Sequence, residues 1–205
     1  MTEERDSYRI LVAGDELIGY SLCLKLANPG LIDPYGNAKK SLETEWPDDV
    51  WTKYFSLSTE GKITTLSIEV ELHGAWVWEL YNVVEPRDYF RRFDGFLMTF
   101  DPTRPDALDQ LTSFIDSVLA HFEKKPPMVM VGDQMGKKWA FKRDFFGDLA
   151  DFLNAPYFVT NLRKGKMVEE AFRTLAVLAY EAEMGLSEKP APGKKGGENP
   201  HKDPL

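Results

Sequence analysis

The sequence predicts an α/β fold, a mixed and mainly parallel sheet of six strands with helices on both faces. Three observations carry this. Short apolar runs alternate with stretches of helical periodicity along most of the chain. The runs at 8–13, 93–100 and 128–131 are nearly continuous in apolar residues, as strands covered on both faces are. An early pair of strands flanks a short turn, so the sheet is mixed rather than fully parallel.

The elements follow in order. Residues 8–13 read Tyr-Arg-Ile-Leu-Val-Ala and end at Gly14, the pattern of a buried strand. Leu17, Leu22, Leu24 and Leu26 then fall at roughly helical spacing until Asn28-Pro29-Gly30 stops the run. Residues 29–50 are rich in Pro, Gly, Asp and Asn and are expected to form a long loop. Strands at 51–58 and 63–73 flank Thr59-Glu60-Gly61-Lys62, a hairpin turn. In the second of them Leu66, Ile68, Val70 and Leu72 alternate with Ser67, Glu69, Glu71 and His73, so one face is buried. Residues 93–100 make the next strand, closed by Asp101-Pro102. Leu108, Leu111, Ile115, Val118, Leu119 and Phe122 set a helix over 106–122, broken by Pro126-Pro127. A strand at 128–131, a helix at 142–153, a short strand at 157–159 and a helix at 168–181 complete the order. The expected organisation is a lead at 1–7, one domain at 8–184, and a tail at 185–205 whose Pro, Gly, Lys and Glu composition predicts disorder.

Composition narrows the function. The 205 residues carry 25 Lys+Arg against 33 Asp+Glu, a net charge of −8, which disfavours general nucleic-acid binding. Cys23 is the only cysteine and is expected to be a buried small apolar residue; His73, His121 and His201 fit no zinc-site spacing. No apolar run has the length of a membrane span, and the acidic start is unlike a secretion signal, so a cytoplasmic protein without membrane insertion is expected.

In sheets of this kind ligands bind beyond the C-terminal ends of the strands. Between the first strand and first helix lies Gly14-Asp15-Glu16-Leu17-Ile18-Gly19-Tyr20-Ser21. Gly14, Gly19 and Ser21 have the spacing of a phosphate-binding loop, G-x-x-x-x-G-K-[ST], but Tyr20 stands where the lysine would be. Asp15 and Glu16 add negative charge there, and a glycine turn with acidic helix capping explains the segment equally well.

The chain resembles the Ras-like small GTPase family over roughly residues 7–183. The stretches that carry the likeness are 93–101 (Phe-Asp-Gly-Phe-Leu-Met-Thr-Phe-Asp), 126–132 and 168–176. The resemblance implies a Ras-like P-loop NTPase fold. Its functional motifs match only in part. Gly14, Gly19 and Ser21 are retained at the P-loop, where Tyr20 departs. At the D-x-x-G motif the chain has Glu71-Leu72-His73-Gly74, with Glu71 expected to reach a magnesium-bound water and Ala75 in place of the catalytic glutamine. At the guanine-reading N-K-x-D it has Asp133-Gln134-Met135-Gly136, and Gly136 has no carboxylate to read the base. Asn161-Leu162-Arg163 replaces S-A-K. Loss of the lysine and guanine contacts costs ~1.5–3 kcal/mol each. The expectation is a pseudoGTPase without catalytic residues, cofactor or resident metal, acting as a nucleotide-independent interaction or regulatory module. The alternative is an unorthodox binder of GTP or ATP with slow or no hydrolysis. It would hold phosphate on the amides of residues 15–21, with magnesium on Ser21 and, through water, on Glu71.

Trp76 and Trp78 follow Gly74 where the family has its second switch; they suit a partner-binding anchor, and packing over the sheet accounts for them too. Candidate partners are another GTPase, a roadblock- or longin-type protein, or a second copy. The segment 85–92 reads as a solvated helix, and the basic, aromatic stretch 137–143 as a helix start with solvated lysines. Asp94 opens a strand whereas Asp101 and Asp133 close theirs, so the three do not make one metal site.

Overall fold

The computed structural model describes residues 7–44, 50–59, 62–72, 86–133, 140 and 144–186. Six strands, β1 (Ser7–Gly14), β2 (Trp51–Thr59), β3 (Lys62–Leu72), β4 (Gly95–Phe100), β5 (Met128–Gly132) and β6 (Tyr157–Val159), form one sheet in the order β2-β3-β1-β4-β5-β6. All neighbours are parallel except β2 and β3, which pair antiparallel from Trp51↔Val70 to Thr59↔Lys62. The mixed, mainly parallel α/β architecture is as the sequence predicts.

Side-chain alternation along β1 divides the core. Tyr8, Ile10 and Val12 face α1 (Glu16–Ala27), α2 (Pro34–Thr44) and α6 (Val168–Glu183). Leu11 and Ala13 face α3 (Pro86–Arg91), α4 (Ala107–Leu119) and α5 (Asp144–Phe152). In β3 the even-numbered Leu66, Ile68, Val70 and Leu72 are buried on the α1 side, following the alternation in the sequence. Helix α1 is packed nearly all round, with Ile18, Tyr20, Leu22, Cys23 and Leu26 in the core, so Cys23 is a buried small residue whose thiol pKa burial pushes up.

Three elements differ from expectation. Residues 34–44 are helical where a long loop is predicted. Asp33 caps this helix by accepting from the Gly36 amide at 3.0 Å, Pro34 starts it, and Tyr35, Ala38 and Leu42 point into the core. Segment 86–91 is a helix that is solvated on one side only: Asp88 and Arg91 are exposed, whereas Phe90 is fully buried and Tyr89 packs edge-on against Phe90 and Phe93. Helix α4 ends at Leu119 rather than 122, because the His121 and Phe122 amides fold back onto Val118 and Leu119 in tighter turns. Most of 137–143 and the tail from 187 lie outside the described residues.

Candidate functional site

The C-terminal ends of β1, β4, β5 and β6 form the rim where this fold places ligands. The connection from β1 to α1 is tight. Gly14 has φ +110°, and a Cβ there would lie 2.1 Å from the Thr99 carbonyl oxygen, so only glycine lets the chain turn off β4 so closely. Thr99 then fastens the turn. Its carbonyl accepts from the Asp15 amide at 2.9 Å, and its hydroxyl donates to the carbonyls of Ala13 (2.9 Å) and Asp15 (3.0 Å). Asp15 is the N-cap of α1, accepting from the Ile18 amide at 3.0 Å, and the helix begins at Glu16.

This geometry bears on the alternative in which the amides of residues 15–21 hold a phosphate. Residues 16–21 are helical, so their amides do not form a cradle, and the Asp15 carboxylate already sits at the helix N-terminus where an incoming anion would. Gly19 is a packing glycine: its amide donates to Asp15 at 2.8 Å, and a Cβ would meet Leu72 Cδ1 at 2.9 Å and Val12 at 3.2 Å. Tyr20 is buried beside Trp51, ring centres 5.7 Å apart, rather than standing over a ligand. Ser21 is fully buried, and its hydroxyl donates back to the Leu17 carbonyl of its own helix at 2.6 Å.

Glu71 belongs to the same alternative. It lies on the face of β3 opposite to Leu72, where Arg9 and Arg92 hold its carboxylate, Arg92 at 2.8 Å. Arg92 itself lies over the rings of Tyr89 and Phe93 at 4.5 and 4.9 Å. Glu71 is therefore separated by the sheet from Ser21 and cannot share a magnesium ion with it.

Asp133, at the end of β5, is buried and accepts from the Tyr35 hydroxyl, the Thr160 hydroxyl (2.9 Å) and the Leu162 amide (2.8 Å). Tyr35 comes from α2, and its phenol pKa is held far above the ordinary value, by burial first and then by the bond to Asp133. The sequence reading missed Tyr35; the signal for it was Asp33-Pro34 followed by Tyr35, Ala38 and Leu42 at helical spacing. Asn161 caps the 3-10 turn Leu162–Lys164, accepting from the Lys164 amide at 3.0 Å. Asp94 stands at the other end of its strand, accepting from the Arg9 amide, whereas Asp101 and Asp133 share the rim. Gly74, Trp76, Trp78, Gln134 and Gly136 lie outside the described residues.

Beside the turn is a cleft of about 430 Å³, lined by Gly14, Asp15, Glu16, Asp101, Arg104 and Gln110 among others. Arg104 is bound to Asp106 through two contacts of 3.1 and 2.7 Å and reaches Asp15 at 3.6 Å. Burial raises the Asp15 carboxyl above the ordinary carboxylate value against the pull of the Ile18 amide, with Asp101 raising it further and Arg104 lowering it. Among the described residues no group of three His, Cys, Asp or Glu could hold a metal ion, and no helix is long and apolar enough to cross a membrane.

With this geometry in place, comparison with known proteins identifies the class. The sequence pattern of the Ras family matches residues 59–181, more than half of the chain, and covers β3 through most of α6. The chain is also similar to the GTP-binding protein ypt1 of Schizosaccharomyces pombe, 23% identical over 154 residues that span 71% of this chain and 76% of that protein. The chain belongs to the Ras family and is a small GTPase-like protein of the Ras superfamily. Among the positions that the family's motifs single out, Ser21, Glu71 and Asp133 are bonded to the protein's own groups, as is the neighbouring Asp15.

Proposed function

We propose that this protein is a pseudoGTPase, a Ras-family fold that works without nucleotide as a protein-interaction or regulatory module in the cytoplasm. The observation that carries this is the β1–α1 connection. Asp15 caps a helix that starts at Glu16, so a carboxylate occupies the position and uses the amide that a bound phosphate would need. Tyr35 on Asp133 is a further support, because a side chain of α2 bonds to the first residue of the segment 133–136 that corresponds to the family's base-reading motif. The partner is a protein: another GTPase, a roadblock- or longin-type protein, or a second copy of the chain. Trp76 and Trp78 are the proposed anchors, as tryptophans dominate many interfaces.

The test is the nucleotide content of freshly purified, heat-denatured protein, followed by titration with fluorescent GTP and ATP in magnesium. We expect no nucleotide released and no saturable binding up to millimolar concentration. A stoichiometric guanine or adenine nucleotide would overturn the reading in favour of an unorthodox binder.

A further inference from the structure

Among the described residues, β2 ends the strand order and pairs with β3 alone, so its outer side is a sheet edge. It has nine residues, whereas β6 at the opposite edge has three. Proteins blunt long edges with charges, proline or bulges, because a row of free amides and carbonyls is a template for another strand. Residues 51–59 contain no proline and a single charge, Lys53, and their register with β3 runs without a bulge. The Ser56 carbonyl marks which backbone groups point outwards. It accepts from Arg173 Nη1 of α6 at 3.1 Å, so Thr52, Tyr54 and Ser56 turn their amides and carbonyls to the edge. Their side chains are exposed, Tyr54 by 68%, and Ile63 beside them on β3 is 72% exposed.

We propose that β2 pairs antiparallel with β2 of a second copy, about a twofold axis at Tyr54, so that two sheets join into one. The strand is complementary to itself in this register. With Tyr54 opposite its own copy, Thr52 faces Ser56, Lys53 faces Phe55 and Trp51 faces Leu57. The exposed face then pairs hydroxyl with hydroxyl and ring with ring; the helix face pairs cation with ring and apolar with apolar. No like charges meet, and the acid Glu69 stands one strand back, opposite Thr52 on β3. The outward residues Thr52, Tyr54 and Ser56 fall on the hydrogen-bonded positions of this register. An axis at Phe55 would instead bring inward-pointing backbone groups together and leave the ladder unmade. Trp51 and Leu57 already pack at the margin of the core on the α1 side, which their pairing would carry across the axis. The proposal deepens the interaction-module reading, on which it rests, by choosing a second copy as the partner.

The experiment is sedimentation equilibrium of the full chain up to roughly 500 µM, a range chosen because small interfaces bind weakly. The expected mass rises with concentration from 23.4 kDa towards twice that value. Tyr54→Lys sets like charges across the axis and should weaken dimerisation about tenfold. Ser56→Pro removes an outward amide, which an edge strand tolerates, and should leave a monomer. Far-ultraviolet circular dichroism should match the parent in both variants. Mild oxidation fixes the register. Tyr54→Cys should cross-link to its copy, since opposed hydrogen-bonded residues have Cα atoms about 5.5 Å apart, within disulfide reach. Thr52→Cys should not, because its copy lies about 13 Å along the strand; Cys23 is buried and adds no background. A mass of 23.4 kDa throughout, a dimer unaffected in Tyr54→Lys, or equal cross-linking at 52 and 54 would each overturn the proposal. Fluorescent GTP titrated into the same samples separates the two readings. A dimer that binds GTP saturably would sink the pseudoGTPase reading alone, whereas a monomer that binds none would sink the β2 pairing alone.

Discussion

Asp15 holds the turn together and is penalised by its own burial. Its carboxylate satisfies the Ile18 amide at the start of α1, yet desolvation, then the neighbouring Asp101, raise its carboxyl pKa above the ordinary value. Folded protein therefore holds this proton to higher pH than unfolded protein does. The contribution to stability is full below the ordinary carboxylate pKa and is lost as pH rises through the raised value. Asparagine keeps the capping oxygen without the charge. Asp15→Asn is thus expected to raise the urea midpoint at pH 7.5 and to show a shrinking gain as the pH is lowered towards 4. A gain that grows towards acid pH would show that Arg104, not burial, dominates this carboxylate.

At the scale of elements, α2 is the piece tied to the rim at the end of β5. It is held by Ala38 in the core, by its Asp33 cap, and by the Tyr35 hydroxyl on Asp133. Tyr35→Phe leaves Asp133 with the Thr160 and Leu162 donors but without the phenol, and should destabilise the protein by about 1–3 kcal/mol. Hydrogen exchange should then quicken in residues 34–44 more than in α1. Equal protection in both helices would mean that the phenol bond does not hold α2 down. This helix also marks the limit of what the sequence discloses. Strands with clean alternation, such as β3, and helices with a strong apolar stripe, such as α4, were legible because one periodicity dominates each. In 29–50, Pro34, Gly36 and Asn37 are loop-forming residues individually, and the three-residue spacing of Tyr35 and Ala38 is too sparse to outweigh them. The site was harder still. Glycines five apart suit a phosphate loop, but they equally suit a sharp turn followed by a helix that must lie close on a sheet, and only the packing of Gly19 on Leu72 decides. The alternation in β3 already placed Glu71 on the face away from Leu72; its motif position pointed the other way, and the alternation prevailed.

For the whole molecule, the sheet makes the two cores interdependent. Ile10 and Val12 belong to the core on one face and Leu11 to the other, and in β4 Leu97 and Met98 divide in the same way. Loss of either core strips one side of β1 and β4, so neither is expected to survive alone. Thermal unfolding followed by aromatic near-ultraviolet circular dichroism and by far-ultraviolet signal should give one coincident transition. Two separated midpoints would show that the α3, α4 and α5 layer melts independently of the α1, α2 and α6 layer.

The central position of β1 also sets an order of events during synthesis. Its partners are made much later: Ser7 pairs with Ser67 in β3, and Gly14 with Thr99 in β4. A nascent chain therefore carries this largely apolar strand unpaired while residues 15–61 are being added. In that interval only local contacts are available, those of α1 with α2 among them, and the hairpin of β2 and β3 is the first long pairing to close. Capture of β1 by β3 then joins the earliest strand to the hairpin, and β4 shuts its second edge, so protection of residues 7–14 from chaperones or aggregation depends on sequence up to residue 100.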